Sequence, residues 1–127
     1  MMRRKAMRQT ASTEAIVNGL GWFSLGLGLL EFFAPKSVGR PLGMERQSTL
    51  LQTYGLREMI AGLGVLLSRR PAAWLWARAF GDVVDMATVA PKLGSRDASV
   101  RKANGLAALA IGLVAALDVY YAMKTAR

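Results

Sequence analysis

Four apolar stretches, each about as long as a membrane-spanning helix, occupy most of this 127-residue chain. A hydrocarbon core about 30 Å thick requires roughly 20 helical residues to cross it. Short connections that contain basic residues, proline or glycine separate the stretches, whose approximate bounds are 14–34, 49–68, 71–91 and 104–123. The sequence therefore predicts a single all-α domain of residues 1–127, a polytopic integral membrane four-helix bundle.

The first stretch follows a basic start, MMRRKAMRQT, of the kind that opens a signal peptide. Its apolar run is longer than the apolar core of a signal peptide, and it ends in Glu31, Phe32 and Phe33 rather than in a small-x-small cleavage site. We therefore expect it to be retained as the first span. Because the first helix usually decides orientation, we expect both termini on the cytoplasmic side.

The segment 35–47 between the first two stretches mixes apolar and basic residues. The apolar ones are Val38, Leu42 and Met44, and the basic ones are Lys36, Arg40 and Arg46. This amphipathic mixture favours a short helix or loop that lies in the membrane interface.

The formal net charge of +9 raises the question of nucleic-acid binding, but the positions of the basic residues argue against it. Almost all of them lie in the segments between the apolar stretches, where membrane proteins place charge at lipid headgroups. We therefore expect membrane lipids and no nucleic acid as partners.

The chain has no Cys and no His, which excludes structural zinc, thiol catalysis, haem held by two histidines and a Ser-His-Asp triad.

Charged residues interrupt the second and third stretches. The second contains Arg57 and Glu58, and the third contains Arg78, Asp82 and Asp85. A central Arg or Asp costs about 2.5 to 3.5 kcal/mol on an insertion scale, so we expect the two helices to insert as partners. The short connection 68–71 favours an antiparallel hairpin, with Pro71 in the first turn of the following helix.

The depths of these residues in the hairpin predict a common interior. At 1.5 Å per residue, Arg57 and Glu58 lie level with Arg78 and Asp82, and Asp118 of the last stretch comes close to the same depth. Glu31 and Asp85 lie toward the opposite side. The predicted charge network or ligand site consists of Arg57, Glu58, Arg78, Asp82, Asp85 and Asp118.

Two interpretations of this network remain open at the level of sequence. It forms salt bridges that hold the helices together, or it lines a polar cavity near the midplane that binds a lipid-like or quinone-like ligand. In the second case the arginines meet anionic or carbonyl oxygens of the ligand, and the carboxylates orient it or exchange protons. Alternatives are a partner membrane protein at this site, a small proton- or solute-coupled transporter, and an intramembrane enzyme. The chain could also form a homo-oligomer.

We expect no enzymatic activity, no cofactor and no metal. Without His, Cys or a metal site the catalytic repertoire is narrow. Glu58, Asp82 and Asp85 could hold a divalent ion by residue type, but the adjacent arginines oppose it.

Pairs of small residues four apart predict where helices approach closely in lipid. These pairs are Ser24 and Gly28, Ala108 and Gly112, and Gly112 and Ala116.

Three stretches together resemble a family of small bacterial membrane proteins of unknown function. They are GWFSLGLGLLEFFAPKSVGRPLG, LLQTYGLREMIAGLGVLL and RPAAWLWARAFGDVVDMATV, and the likeness rests chiefly on YGLRE at 54–58 and GDVVD at 81–85. Related segments precede polyketide cyclase/dehydrase-type soluble domains, whose function does not carry over to this chain. The resemblance implies a four-helix domain in the bacterial inner membrane, with Arg57, Glu58, Arg78, Asp82 and Asp85 as its signature residues.

Overall fold

The computed structural model describes the backbone of residues 2–126 and the side chains of residues 11–126. The described residues form five α-helices and one 3-10 helix. In chain order these are α1 (Met2–Phe33), α2 (Pro35–Leu42), α3 (Ser48–Leu67), α4 (Ala72–Val89), the 3-10 helix (Ala90–Gly94) and α5 (Ala98–Thr125). The predicted all-α class is confirmed. Within the described residues, two helices are long and apolar enough to cross a membrane, α1 over Ala11–Phe33 and α5.

Of the four long helices α1, α3, α4 and α5, the first and the last extend beyond the apolar stretches predicted for them. α1 runs back to Met2, and α5 begins at Ala98 because the Asp97 side chain caps it. Asp97 Oδ1 accepts hydrogen bonds from the backbone N–H groups of Ser99 at 2.9 Å and Val100 at 3.3 Å. Pro71 occupies the N-cap of α4, one position before the predicted first turn. Hydropathy thus locates the apolar part of each helix, while capping sets where the helix begins.

Glycines bring α1 and α3 into backbone contact. A Cβ added to Gly28 would lie 2.5 Å from the carbonyl oxygen of Gly55, and one added to Gly62 would lie 2.7 Å from that of Gly21. These pairings make the two helices antiparallel, and they confirm Ser24 and Gly28 as part of a close contact. The contact predicted at Gly112 does not form within the described chain, because a Cβ there would meet nothing within 4 Å.

The long helices converge on an apolar cluster near the connection between α3 and α4. The cluster consists of Val17 and Leu20 of α1, Val65 of α3, Leu75 of α4, and Tyr121 and Ala122 of α5. Leu75 and Ala122 are completely buried. This apolar cluster closes one end of the space between the helices.

The helix α2 covers the opposite end of that space. It ends at Gly43, whose φ of 71° is accessible to glycine without strain, and the chain then turns Met44 into the interior. The buried Asn104 of α5 donates its Nδ2 hydrogens to the carbonyl oxygens of Leu42 at 3.0 Å and Val100 at 2.8 Å. The predicted interfacial segment is therefore helical over Pro35–Leu42 and is tied to α5 by a buried side chain.

Candidate functional site

Glu58 of α3 lies at the centre of a buried charge network. Its Oε2 lies 3.3 Å from Nη1 of Arg78, and its Oε1 lies 3.4 Å from Nη2 of Arg57. The Ser24 hydroxyl of α1 lies 2.7 Å from Glu58 Oε2 and 2.7 Å from the Glu58 backbone carbonyl oxygen. Ser24 is fully buried, so the same small residue that permits close helix approach also supplies a polar partner.

Arg78 of α4 connects α3 to α5. Its Nε donates a hydrogen bond to Asp118 Oδ1 at 2.9 Å, and its Nη1 donates to Glu58. The Arg78 and Asp118 side chains are 1% and 0% exposed. A charge removed from solvent to this extent requires a close partner, and Arg78 has two.

Arg57 forms the outer part of the network. Its Nη2 donates a 2.8 Å hydrogen bond to Asp85 Oδ1, and its guanidinium carbon lies 4.8 Å from the centre of the Tyr54 ring. A Cβ on Gly81 would lie 3.1 Å from Arg57 Nε, so the glycine leaves room for the guanidinium group. Tyr54 in turn shares a 2.6 Å hydrogen bond with Thr88 of α4. The YGLRE and GDVVD segments therefore contact each other directly.

Two buried carboxyl groups have no arginine partner. Asp82 is 5% exposed and Glu31 is 8% exposed, and neither forms an ion pair with another residue whose side chain is described. The Asp82 carboxyl group faces that of Asp118, and the Oδ2 atoms of both are buried without a partner within residues 11–126. Both arginines thus have carboxylate partners, whereas Asp82 and Glu31 have no ion-pair partner among the described side chains.

A cavity of about 240 Å³ adjoins the network. Its polar walls come from Glu31, Glu58, Arg78, Asp82, Asp85, Tyr54 and Thr88. Its apolar walls come from the five α-helices and from the turn after α2, and they are formed by Phe23, Leu27, Val38, Leu42, Met44, Leu51, Val89, Ala107, Ala110, Ile111 and Val114. A space with charged groups at one wall and aliphatic side chains at the others fits a molecule that has a polar head and an apolar body.

The cavity has an apolar margin between α1 and α5. Phe23 of α1 and Ala110 of α5 line the cavity and are also exposed on the outer surface. These two helices meet in the apolar cluster at Val17 and Tyr121, which lie six residues from Phe23 and eleven from Ala110. The margin of the cavity at Phe23 and Ala110 is therefore apolar and exposed.

Carboxylate oxygens of Glu58, Asp82 and Asp85 lie within 4.8 Å of one another, a spacing compatible with a metal ion. Glu58 and Asp85 are already bonded to arginines. The guanidinium groups of Arg57 and Arg78 lie 2.8 to 3.4 Å from these carboxylates and repel a divalent cation. The donor set therefore fits an organic ligand better than a metal.

The structure brings together all six residues that the sequence predicted for the network. Sequence reasoning missed Glu31 as a member and treated Ser24 only as a small residue. Ser24, Gly28 and Glu31 are spaced i, i+4 and i+7, which puts them on one face of α1, and that face packs on α3. This spacing was the signal that could have placed Glu31 in the site.

No protein-family model, curated protein or solved structure matches the chain. The resemblance to small bacterial membrane proteins therefore stays a prediction, and the function is argued from the site alone.

Proposed function

We propose that the chain is a multi-pass protein of the bacterial inner membrane that crosses the bilayer with α1, α3, α4 and α5. Its interior cavity then binds a small amphiphilic ligand, lipid-like or quinone-like.

The distribution of polarity carries the membrane part of the proposal. The buried side chains include Glu31, Glu58, Arg78, Asp82 and Asp118, whereas large apolar side chains are exposed on each of the long helices. Those exposed side chains include Trp22, Phe23 and Leu30 of α1, Ile60 and Leu63 of α3, Phe80 and Val83 of α4, and Leu109 and Leu113 of α5. A water-soluble protein has the reverse arrangement, and apolar surface of this extent is stable in lipid.

The helices α3 and α4 fit this interpretation although they carry charges. The charges lower their average hydropathy, but Glu58, Arg78 and Asp82 point into the protein rather than outward. The most apolar stretches of α1 and α5 are only 33% and 17% buried inside the protein. A core helix of a soluble protein would be mostly buried, so these low values favour contact with lipid.

Cysteine labelling tests the four crossings, because the chain contains no native cysteine. Single variants Ile60→Cys and Phe80→Cys place a thiol on the outer faces of α3 and α4. Both should resist a water-soluble maleimide in intact membrane vesicles and react only after denaturation. Arg69→Cys and Arg96→Cys, in exposed connections, should react from opposite sides of the membrane. Rapid reaction of Phe80→Cys in intact vesicles would contradict the proposed crossing by α4.

A variant with a blocked cavity tests whether the amphiphilic ligand binds there. Ala110→Trp puts an indole at the lateral margin of the cavity, and Leu113→Trp puts the same group on the outer face of α5 as a control. Native mass spectrometry of protein released from lipid nanodiscs should show a bound amphiphile on the parent and on Leu113→Trp, and none on Ala110→Trp. Equal occupancy in all three proteins would show that this cavity is not the binding site.

A further inference from the structure

Among the side chains of residues 11–126, the carboxyl groups of the interior outnumber its cations. Glu31, Glu58, Asp82, Asp85 and Asp118 face Arg57 and Arg78. These residues come from every long helix, so the acidic excess belongs to the space between the helices and not to one of them. A buried charge is stable only when it is paired or neutralised.

Both arginines already have carboxylate partners. Arg78 donates through Nε to Asp118 and through Nη1 to Glu58, and Arg57 Nη2 contacts Asp85 and Glu58. An anionic head group would meet guanidinium groups that are already paired with carboxylates, and it would add to the negative charge of the interior. The expectation that the arginines meet an anionic ligand is therefore disfavoured by the contacts they make.

The unpartnered groups that line the cavity are acceptors. Glu31 and Asp82 line it, are each more than nine-tenths buried, and have no cation within the described side chains. The hydroxyl groups of Tyr54 and Thr88, which also line it, bond to each other. Within the described residues, the cavity thus offers two carboxyl groups that have no ion-pair partner, while its two hydroxyl groups are bonded to each other.

We propose that the ligand is a lipophilic organic cation, whose ammonium head pairs with Glu31 and Asp82 and whose apolar body lies against α2 and α5. This inference rests on the proposed function, because it requires the cavity to be a binding site. An ammonium group has three N–H donors for carboxylate oxygens, and Glu31 of α1 and Asp82 of α4 line the same cavity. The apolar walls at Val38, Leu42 and Ile111 fit an aliphatic chain.

Three probes of equal chain length test the charge of the head group. Octylamine, octanoate and octanol are offered in radiolabelled form to the protein in phosphatidylcholine nanodiscs at pH 7, and binding to empty nanodiscs is subtracted. We expect saturable binding of octylamine, with octanoate and octanol at least about tenfold weaker, which corresponds to 1.4 kcal/mol or more.

Amide variants test the two acids. Glu31→Gln combined with Asp82→Asn keeps the shape of both side chains and should weaken octylamine binding by about tenfold or more. The double variant should unfold at or above the temperature of the parent, because it removes charges that have no cation. Asp85→Asn, which takes a partner from Arg57, should instead lower the unfolding temperature. This contrast shows that weaker binding by the double variant does not result from failure to fold.

The other outcomes separate the two proposals. If octanol binds as tightly as octylamine and the amide variant is unaffected, the ligand head is neutral, and the cationic inference fails while the cavity remains a binding site. If octanoate binds best, the arginines exchange partners and the inference again fails alone. If none of the probes binds above the empty-nanodisc level, and none protects the protein against heat, both proposals fail.

Discussion

Arg78 Nε and Asp118 Oδ1 lie 2.9 Å apart in a place from which solvent is almost wholly excluded. Through this contact α5 is joined electrostatically to α4, and through Arg78 it is joined to Glu58 of α3. The second oxygen of Asp118 has no partner among the described side chains, so the bond from Arg78 Nε is the contact that pairs this carboxylate with a cation. The pair therefore gives the most direct measure of what the network contributes to stability.

Asp118→Leu should lower the free energy of unfolding in detergent by about 3 kcal/mol or more, because it leaves the Arg78 guanidinium short of a partner in a dry interior. Asp118→Asn should cost less, since its amide oxygen still accepts from Arg78 Nε. Asp97→Asn is the control, because the exposed N-cap of α5 accepts Asn as readily as Asp. Equal stability of Asp118→Leu and the parent would show that the pair contributes nothing.

Gly28→Ala should separate α1 from α3, because the new methyl group would lie 2.5 Å from the carbonyl oxygen of Gly55. We expect a loss of about 1 to 3 kcal/mol in the free energy of unfolding. Gly26→Ala is matched to it, since it lies on the same helix with nothing within 4 Å, and it should be neutral or slightly stabilising. If the two variants behave alike, α1 and α3 do not pack through Gly28 as described.

Gly81→Ala should displace the Arg57 side chain without disrupting α4, the helix that contains Gly81. The added Cβ would lie 3.1 Å from Arg57 Nε, so the guanidinium group must move and its 2.8 Å bond to Asp85 must lengthen. We expect a loss of about 1 to 2 kcal/mol in the free energy of unfolding. In the Arg57→Gln background the same substitution should be nearly neutral, and a double-mutant cycle measures the difference. An unchanged penalty in that background would mean that Gly81 is needed for another reason.

Asn104→Leu should release α2 from α5. It removes the Nδ2 donor that bonds the carbonyl oxygen of Leu42 at 3.0 Å, at an expected cost of about 1 to 3 kcal/mol. Hydrogen exchange of residues 35–47 should accelerate, while that of α3 should not change. Lys92→Gln, which removes the exposed 3.3 Å contact with the carbonyl oxygen of Gly43, should have a smaller effect. Unaltered exchange in Asn104→Leu would show that α2 is held by other contacts.

The depths of the charged residues could be predicted from the sequence, and their partners could not. Counting 1.5 Å per residue brought Arg57, Glu58, Arg78 and Asp118 to a common level, where they now contact one another. The same count placed Asp82 at that level, one turn from Arg78 on α4, and did not decide which carboxylates bind the arginine. In the structure Arg78 reaches across to α3 and α5 instead, because a side chain that leaves its own helix can pair with carboxylates on two others.

The position of α2 required information that periodicity does not contain. An amphipathic mixture at 35–47 predicted a short helix or loop, but its placement over the cavity depends on the left-handed turn at Gly43 and on Asn104 of α5. Those two residues lie 61 positions apart in the chain. Glu31 was missed for a related reason, since it enters the site only because Gly28 and Gly55 let α1 approach α3 so closely.

The apolar cluster around Leu75 and Ala122 has a consequence for the energetics of the cell. A continuous file of water molecules across a bilayer would discharge its electrochemical gradient. Charged side chains in the interior of a membrane protein attract water and so favour such a file. Side chains from α1, α3, α4 and α5 interrupt it at this level with an apolar layer whose members are all buried. In the proposed orientation the protein can therefore keep ionised groups deep in the bilayer while the membrane stays electrically insulated.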